Sequence, residues 1–137
     1  MRNSSILISI LCLLFQFSYS QPTNEWVDAG AYYFSPALLE IEVGSTVTWT
    51  NYGGLHDVNF DVNTITGESF GNPDSFVLEA VYAMNADNPV EIGSYTFTVP
   101  GTYQYDCSVG THALEGMVGT IIVNYVGYLG CMDELAC

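Results

Sequence analysis

Alternation of apolar and polar side chains is the pattern that most restricts the fold of this chain. The first clear example covers residues 39–50, where two alternating runs, Leu39 to Val43 and Thr46 to Thr50, flank Gly44 and Ser45. Successive side chains of a β-strand point to opposite faces, so each run predicts a strand with one buried face. The Gly-Ser pair between them predicts a turn, and the two strands together predict a hairpin.

The same pattern returns later in the chain. Tyr95 to Val99 alternates, Pro100 and Gly101 supply a turn, Tyr103 to Tyr105 alternates again, and a last strand is expected over Gly119 to Asn124. Many short strands separated by Gly and Pro predict an all-β fold, namely a two-sheet antiparallel Greek-key β-sandwich. The segment 63–88 is less regular. Within it, Phe76 to Met84 fits either a short helix or a strand with loose loops around it, and of the two we expect the helix.

The first twenty residues have the composition of an export signal. Arg2 precedes an apolar run from Ile6 to Phe17, which is shorter than the ~20 residues that a membrane span needs. We therefore predict a signal peptide over residues 1–20, one domain over 21–126, and a short Cys-containing tail over 127–137. The protein is expected to be exported, to a periplasm or to the extracellular space, without a membrane span.

The charge of the chain is strongly one-sided. Arg2 is the single Lys or Arg, so the mature chain keeps all 15 acidic residues and no permanent side-chain cation. Such a protein cannot neutralise phosphates, which argues against nucleic acid and anionic lipid surfaces as partners. We expect basic proteins as partners and a monomeric state. Because 49% of the residues are hydrophobic, the acidity does not predict disorder.

Three cysteines remain after the predicted signal: Cys107, Cys131 and Cys137. Cysteines of exported proteins are usually paired, and an odd number leaves one without a partner. Cys131 and Cys137 are near neighbours and are expected to form a disulfide. That pairing would leave Cys107 free for another role, of which metal binding is one.

Strand parity places several metal-binding side chains on buried faces. His56 shares a face with the apolar residues two and four positions after it, and Cys107 shares one with the tyrosines two and four positions before it. Counting back in steps of two from the apolar Val123 and Ile121 of the last strand places Met117 on the buried face as well. Cys107, His112 and Met117 form a Cys-x4-His-x4-Met run in one inter-strand loop.

Taken singly, a buried His is usually a hydrogen-bonded core residue and a buried Met usually fills the core. Together with a thiolate, however, two imidazoles and a thioether are the set that builds a His2Cys copper site with a weak axial Met. Zinc also accepts two His and a Cys, but a thioether is a poor fourth ligand for it. The set therefore predicts one copper ion.

Two runs of the sequence resemble the blue-copper, or cupredoxin, family of plastocyanin and azurin. The first, residues 36–60, carries the following residues in order: Gly44, Val47, Trp49, Asn51 and His56. The second, residues 95–123, carries Pro100-Gly101-Thr102-Tyr103, Tyr105, Cys107, His112, Gly116-Met117 and Gly119. The resemblance implies a cupredoxin-like sandwich with one type 1 copper site, in which His56, Cys107 and His112 are equatorial ligands and Met117 is axial.

Two departures from the family pattern stand out. Four residues separate Cys107 from His112, as in azurins and phytocyanins, whereas plastocyanins have two. Many relatives carry Asn directly after the first His ligand, where this chain has Asp57. A carboxylate at that position can accept backbone N–H bonds but cannot donate one.

The function predicted from this site is the transport of single electrons rather than enzymatic catalysis. Four protein ligands and a buried position leave the metal without an open place for a substrate. His112, on the loop, is the expected exit for the electron, with Leu55, Ala113 and Leu114 as an apolar docking collar. Two other functions stay open: a metal-free adhesion or interaction sandwich, and a copper storage or delivery protein.

Overall fold

The structure, a computed structural model, describes residues 21–125, which form nine β-strands. The signal peptide predicted over 1–20, the tail over 127–137 and the Cys131–Cys137 disulfide lie outside the described residues. The strands are β1 (Asn24–Gly30), β2 (Tyr33–Ser35), β3 (Leu38–Glu42), β4 (Thr46–Asn51), β5 (Gly54–Asn59), β6 (Val77–Ala83), β7 (Val90–Thr96), β8 (Gly101–Asp106) and β9 (Val118–Asn124).

Two sheets pack into the predicted β-sandwich. One holds four strands in the order β2-β1-β4-β7, and the other holds five in the order β3-β9-β8-β5-β6. Most neighbours are antiparallel, but β1 pairs with β4 and β3 pairs with β9 in parallel. The all-β sandwich is therefore confirmed, and each sheet is mixed rather than purely antiparallel.

The hairpin predicted over residues 39–50 is not formed. β3 and β4 are both strands, but they lie in different sheets, and the connection through Gly44 carries the chain from one sheet to the other. Gly44 has a φ of 91°, a conformation that favours glycine. The prediction was wrong because alternation shows which face of a strand is buried, and both sheets of a sandwich bury one face.

The helix expected over Phe76 to Met84 is also not formed. This segment is the edge strand β6, which pairs antiparallel with β5 along Gly54 to Asn59. Four of its seven residues are exposed, so the apolar pattern was too weak to distinguish a strand from a helix. Pairing with β5 decides the conformation, which illustrates how tertiary context overrides local propensity.

Aromatic side chains fill the space between the sheets. Trp49 packs edge-on against Phe60 and Tyr105, with ring centroids 5.7 and 5.8 Å apart. The remaining buried rings include Phe97 and Tyr103. Cys107 and Met117 belong to the same buried cluster, so the predicted ligands are anchored in the core. Within residues 21–125, no helix is long and apolar enough to cross a membrane.

Candidate metal centre

Two elements supply the predicted ligands. β5 carries His56, and the loop that joins β8 to β9 carries Cys107, His112 and Met117. His56, Cys107 and Met117 are buried, whereas His112 is half-buried. The parity arguments that placed the first three side chains inside are therefore confirmed. His112 is thus the one predicted ligand that reaches the surface.

Three donor atoms converge at this place. Cys107 Sγ lies 3.3 Å from His112 Nδ1 and 3.8 Å from His56 Nδ1, and the two Nδ1 atoms are 3.2 Å apart. The three residues form a group whose ligand atoms all lie within 4.8 Å of one another. Two imidazole nitrogens and a thiol sulfur at such separations can bind one soft or borderline metal ion together.

The ligand loop is held by its own backbone hydrogen bonds. The His112 N–H donates to the Val109 carbonyl at 3.1 Å, and the Met117 N–H donates to the His112 carbonyl at 3.0 Å. The Cys107 N–H donates to the Met117 carbonyl at 3.1 Å and continues the β8–β9 ladder by one step. These bonds bring Met117, the predicted axial ligand, beside Cys107 in the buried core.

The orientation of His56 is set by a second loop. His56 Nε2 lies 2.9 Å from the Gly53 carbonyl oxygen, so this nitrogen carries the proton and Nδ1 is left with a free lone pair. The buried Asn51 side chain shapes that loop, because it donates to the Gly54 and Val81 carbonyls and accepts from the Gly53 N–H. Asn51 was noted in the sequence for its family resemblance, but this supporting role was not predicted.

Burial sets the protonation of the donor groups. It lowers the pKa of His56, and the neighbouring His112 lowers it further, against the opposing effect of the hydrogen bond to Gly53. The neutral imidazole, which is the metal-binding form, is thereby favoured. Burial also raises the pKa of the Cys107 thiol from 9.0 to about 11, so in the absence of a cation the sulfur keeps its proton near neutral pH. Binding of a metal ion would release that proton.

Two buried carboxylates flank the ligands. Asp57 accepts the Ser108 N–H at 2.7 Å and also the Ser108 hydroxyl, as expected for a carboxylate at this position. Asp106 accepts three hydrogen bonds from Asn59 and Thr64. Asp57 and Asn59 lie on the strand face opposite to Val58 by sequence parity, yet both are buried, because the residues that follow β5 and β8 cover that face.

The surface around His112 differs in part from the predicted docking collar. Leu55 and Leu114 are exposed as expected, but Ala113 is buried and does not belong to the surface. The exposed ring of Tyr32 packs edge-on against His112, with centroids 5.0 Å apart and an interplanar angle of 64°. Tyr32 has a φ of 62°, which is uncommon for a non-glycine residue and which the sequence pattern does not reveal.

The fold and the donor set together define a class of protein. A mixed β-sandwich with a largely buried His2Cys group, and with a buried Met in the same loop as the Cys, is a cupredoxin, and its donors fit a type 1 copper ion. The model of the copper binding proteins of the plastocyanin/azurin family matches residues 23–124. The chain belongs to this family. Such cupredoxins are electron carriers and not enzymes, in agreement with the prediction from the sequence.

Similar proteins support the same assignment. Plastocyanin of Scenedesmus fuscus is 38% identical over 97 residues, which cover 70% of this chain and 91% of that protein. Chloroplastic plastocyanin of Oryza sativa subsp. indica is 31% identical over 122 residues, covering 88% of this chain and 74% of the relative.

Solved structures show the same fold. A reduced Cu(I) form of an amicyanin variant has a TM-score of 0.50 and 25% identity, covering 74% of this chain and 82% of amicyanin. Auracyanin B has a TM-score of 0.50 at 18% identity, with coverage of 77% and 91%, and this likeness supports the fold alone.

Proposed function

We propose that the protein is an exported electron carrier with one type 1 copper ion, held by His56, Cys107 and His112 as equatorial ligands and by Met117 as the axial ligand. The observation that supports this best is the convergence of the two Nδ1 atoms and the Cys107 sulfur within 4.8 Å. The position of the buried Met117 beside Cys107 supplies the fourth, weaker donor.

The bound copper would supply one-electron chemistry by cycling between Cu(II) and Cu(I). The protein supplies a fixed set of donors. His56 is oriented through Gly53, and Cys107, His112 and Met117 are held by backbone bonds within one loop. Holding the ligands still reduces the rearrangement that each change of oxidation state requires, which favours rapid electron transfer.

His112 is the proposed contact with redox partners, because it is the one proposed ligand that is not fully buried. Leu55 and Leu114 lie exposed on this part of the surface, and Tyr32 covers one edge of the imidazole. Because Ala113 is buried, the docking collar from here on means Leu55, Leu114 and Tyr32. An apolar collar suits a brief contact in which the partner approaches the imidazole closely and water is excluded.

Charge indicates the kind of partner. Residues 21–125 contain no Lys or Arg, so the described surface repels anions and attracts basic proteins. We propose basic redox proteins as partners and a monomeric carrier. Export to a periplasmic or extracellular space is supported by the signal-like residues 1–20, and the proposed domain bounds remain 21–126 with a tail over 127–137.

The two other functions are less well supported by the site. A metal-free adhesion module would have no use for a free buried thiol that faces two imidazole nitrogens. A storage or delivery protein must hand its metal to a partner, whereas the Cys107 sulfur is enclosed in the core. Electron transport makes use of both features, because it needs a metal that stays bound.

A copper titration of the purified domain, followed by visible absorbance, tests the proposal. We expect one copper ion per chain and an intense blue colour, which arises from charge donation by the Cys107 thiolate. Cys107→Ser should remove the colour. Thr111→Ala, a substitution at an exposed position of the same loop, is the control and should keep it. A colourless wild-type complex would contradict the proposal. Electron exchange measured on the blue form would then separate transport from storage.

A further inference from the structure

A stack of aromatic rings runs from the buried core to the edge of the sandwich. Phe60, which follows β5, stacks on Phe76, which precedes β6, with ring centroids 4.4 Å apart and an interplanar angle of 20°. Phe76 stacks on Tyr95 of β7, with centroids 3.7 Å apart and an angle of 13°. Trp49 packs edge-on against Phe60 and forms the buried end. Rings in continuous contact therefore connect Trp49 with Tyr95.

The two ends of this stack differ in what surrounds their polar atoms. Trp49 is fully buried, and its Nε1–H has no hydrogen-bond partner among the described residues. The same holds for the hydroxyl of Tyr105, which packs edge-on against Trp49. The Tyr95 hydroxyl, in contrast, donates a hydrogen bond to the exposed carboxylate of Asp74. Tyr95 is thus the end of the stack with a base within reach of its proton.

Proton transfer decides which ring can lose an electron at low cost. Removal of an electron from an indole or a phenol makes its N–H or O–H strongly acidic, so a base that takes the proton stabilises the oxidised ring. Trp49 has no such base among the described residues, and an oxidised Trp49 therefore remains a strong oxidant. Asp74 can take the proton of Tyr95 and, because it is exposed, can pass that proton on to water.

We propose that Tyr95 is a redox-active tyrosine that returns an electron to the core after a one-electron oxidant, of the class of oxygen-centred radicals, has oxidised Trp49. The oxidant gains one electron and leaves Trp49 as a radical cation. One electron then passes from Tyr95 through the stack to Trp49. The O–H bond of Tyr95 breaks, and its proton forms an O–H bond with Asp74. Trp49 is restored, and Tyr95 is left as a neutral phenoxyl radical.

This transfer protects two buried sulfur atoms. Cys107 and Met117 belong to the same buried cluster as Trp49. Both side chains are open to oxidation, and a cysteine that passes beyond the sulfenic acid is not readily recovered. Tyr95 is only half-buried and packs against the cluster from outside, so the oxidised state moves from the core to the surface. The inference goes beyond the proposed electron transport and does not depend on it, because the stack contains none of the four proposed ligands.

Laser photoionisation of Trp49 tests the proposal in the purified, metal-free protein, where copper cannot donate an electron. Every protein in the test carries Trp26→Phe, which removes the exposed one of the two tryptophans and leaves Trp49 as the tryptophan that is ionised. Transient absorption distinguishes the tryptophan radical from the tyrosyl radical, because their visible bands differ. We expect the tyrosyl signal to grow as the tryptophan signal decays.

Three variants identify the residue that donates the electron. Tyr95→Phe keeps a stacked ring but has no hydroxyl proton to release, so the yield of tyrosyl radical should fall several-fold. Asp74→Asn removes the base and should slow the transfer several-fold. Tyr82→Phe is the matched control, since it removes a hydroxyl from an exposed tyrosine of β6 that is not part of the stack. It should leave the yield and the rate unchanged.

A full yield of tyrosyl radical in Tyr95→Phe would overturn the inference, because another tyrosine would then be the donor. Decay of the tryptophan radical without any tyrosyl signal, with Tyr95 in place, would overturn it as well. If Tyr95→Phe does not fold, Asp74→Asn decides alone, since an unchanged rate contradicts proton transfer to Asp74. Failure of the proposed copper function gives a different result, because the copper titration would show no blue colour while these radical signals would stay the same.

Discussion

Gly119 lies directly opposite Tyr105 in the β8–β9 ladder, and the Tyr105 ring occupies the space in which a Cβ on residue 119 would lie. Tyr105 is two residues before Cys107, and Gly119 is two residues after Met117. The ring and the backbone of the neighbouring strand are therefore in close contact where the two strands flank the ligand loop. Gly119 is required here for space.

Gly119→Ala should destabilise the domain, because the added methyl group forces the buried Tyr105 ring out of its position. Overpacking of this kind typically costs about 1–3 kcal/mol of unfolding free energy. Urea unfolding of the metal-free protein would measure the loss. Thr120→Ala, a change at the next residue of the same strand, is the control and should cost less. Equal stabilities of wild type and Gly119→Ala would mean that the ring moves freely.

The sequence allowed the burial of side chains to be predicted better than their pairing. Alternation placed His56, Cys107 and Met117 inside, because parity along a strand is a local property. It could not show that β3 and β4 belong to different sheets, because both sheets bury one face in the same core. Contacts between segments that are distant in sequence decide which strands pair, and the residue pattern within one strand does not predict those contacts.

Two features of the site, the position of Tyr32 and the burial of Ala113, were also missed because they depend on how the chain folds and not on a local pattern. The position of Tyr32 against His112 depends on a backbone conformation with φ of 62°, which the residue type disfavours. Ala113 was predicted to be exposed, but the turn that brings Met117 back to Cys107 buries it. Both are consequences of how the loop closes, whereas the prediction of the ligands needed only residue type and spacing.

The axial ligand is expected to tune the metal more than to bind it. A weak thioether mainly sets the reduction potential of a His2Cys copper site. Met117→Gln should therefore keep a coloured complex in altered form and lower the potential, as measured by voltammetry and absorbance. Met84→Gln, a change of the same kind at an exposed position, is the control and should leave both unchanged. An unaltered potential in Met117→Gln would show that Met117 only fills the core.

Tyrosine ionisation should limit stability at high pH. Burial, together with donation of the Tyr95 hydroxyl to Asp74, raises the pKa of Tyr95 to about 12 from 10.0. Between these two pH values the unfolded chain loses this proton while the folded protein keeps it. The stabilising contribution is thus complete below pH 10 and is lost as the pH rises towards 12.

Urea midpoints measured from pH 8 to about 11.5 test this expectation, since stability should fall with pH in the upper part of the range. Tyr95→Phe keeps the ring that stacks on Phe76 but has no ionisable hydroxyl, so its stability should fall less steeply. Burial also raises the pKa of Tyr103 and of Tyr105, so part of the decline should persist in the variant. Identical pH profiles for both proteins would contradict the assignment to Tyr95.

The docking collar can be tested by varying the salt concentration and by adding one positive charge to the collar. Association with a basic partner is accelerated by the negative surface, and exposed charges more than a Debye length of ~10 Å apart are screened at about 0.1 M salt. Electron transfer to a basic redox protein should accordingly slow as salt rises. Leu114→Lys should slow it further, because a cation beside His112 repels the partner and disturbs the apolar contact, while the colour hardly changes.

The matched control for this substitution is Val99→Lys, which adds the same charge to an exposed position in the turn between β7 and β8. That turn precedes Gly101, whereas the ligand loop follows the other end of β8, so the two added charges lie at opposite ends of the strand. Stopped-flow reduction over a salt series should show a larger decrease for Leu114→Lys than for Val99→Lys. Equal decreases would mean that only the net charge matters, and rates independent of salt and of both substitutions would place the docking surface elsewhere.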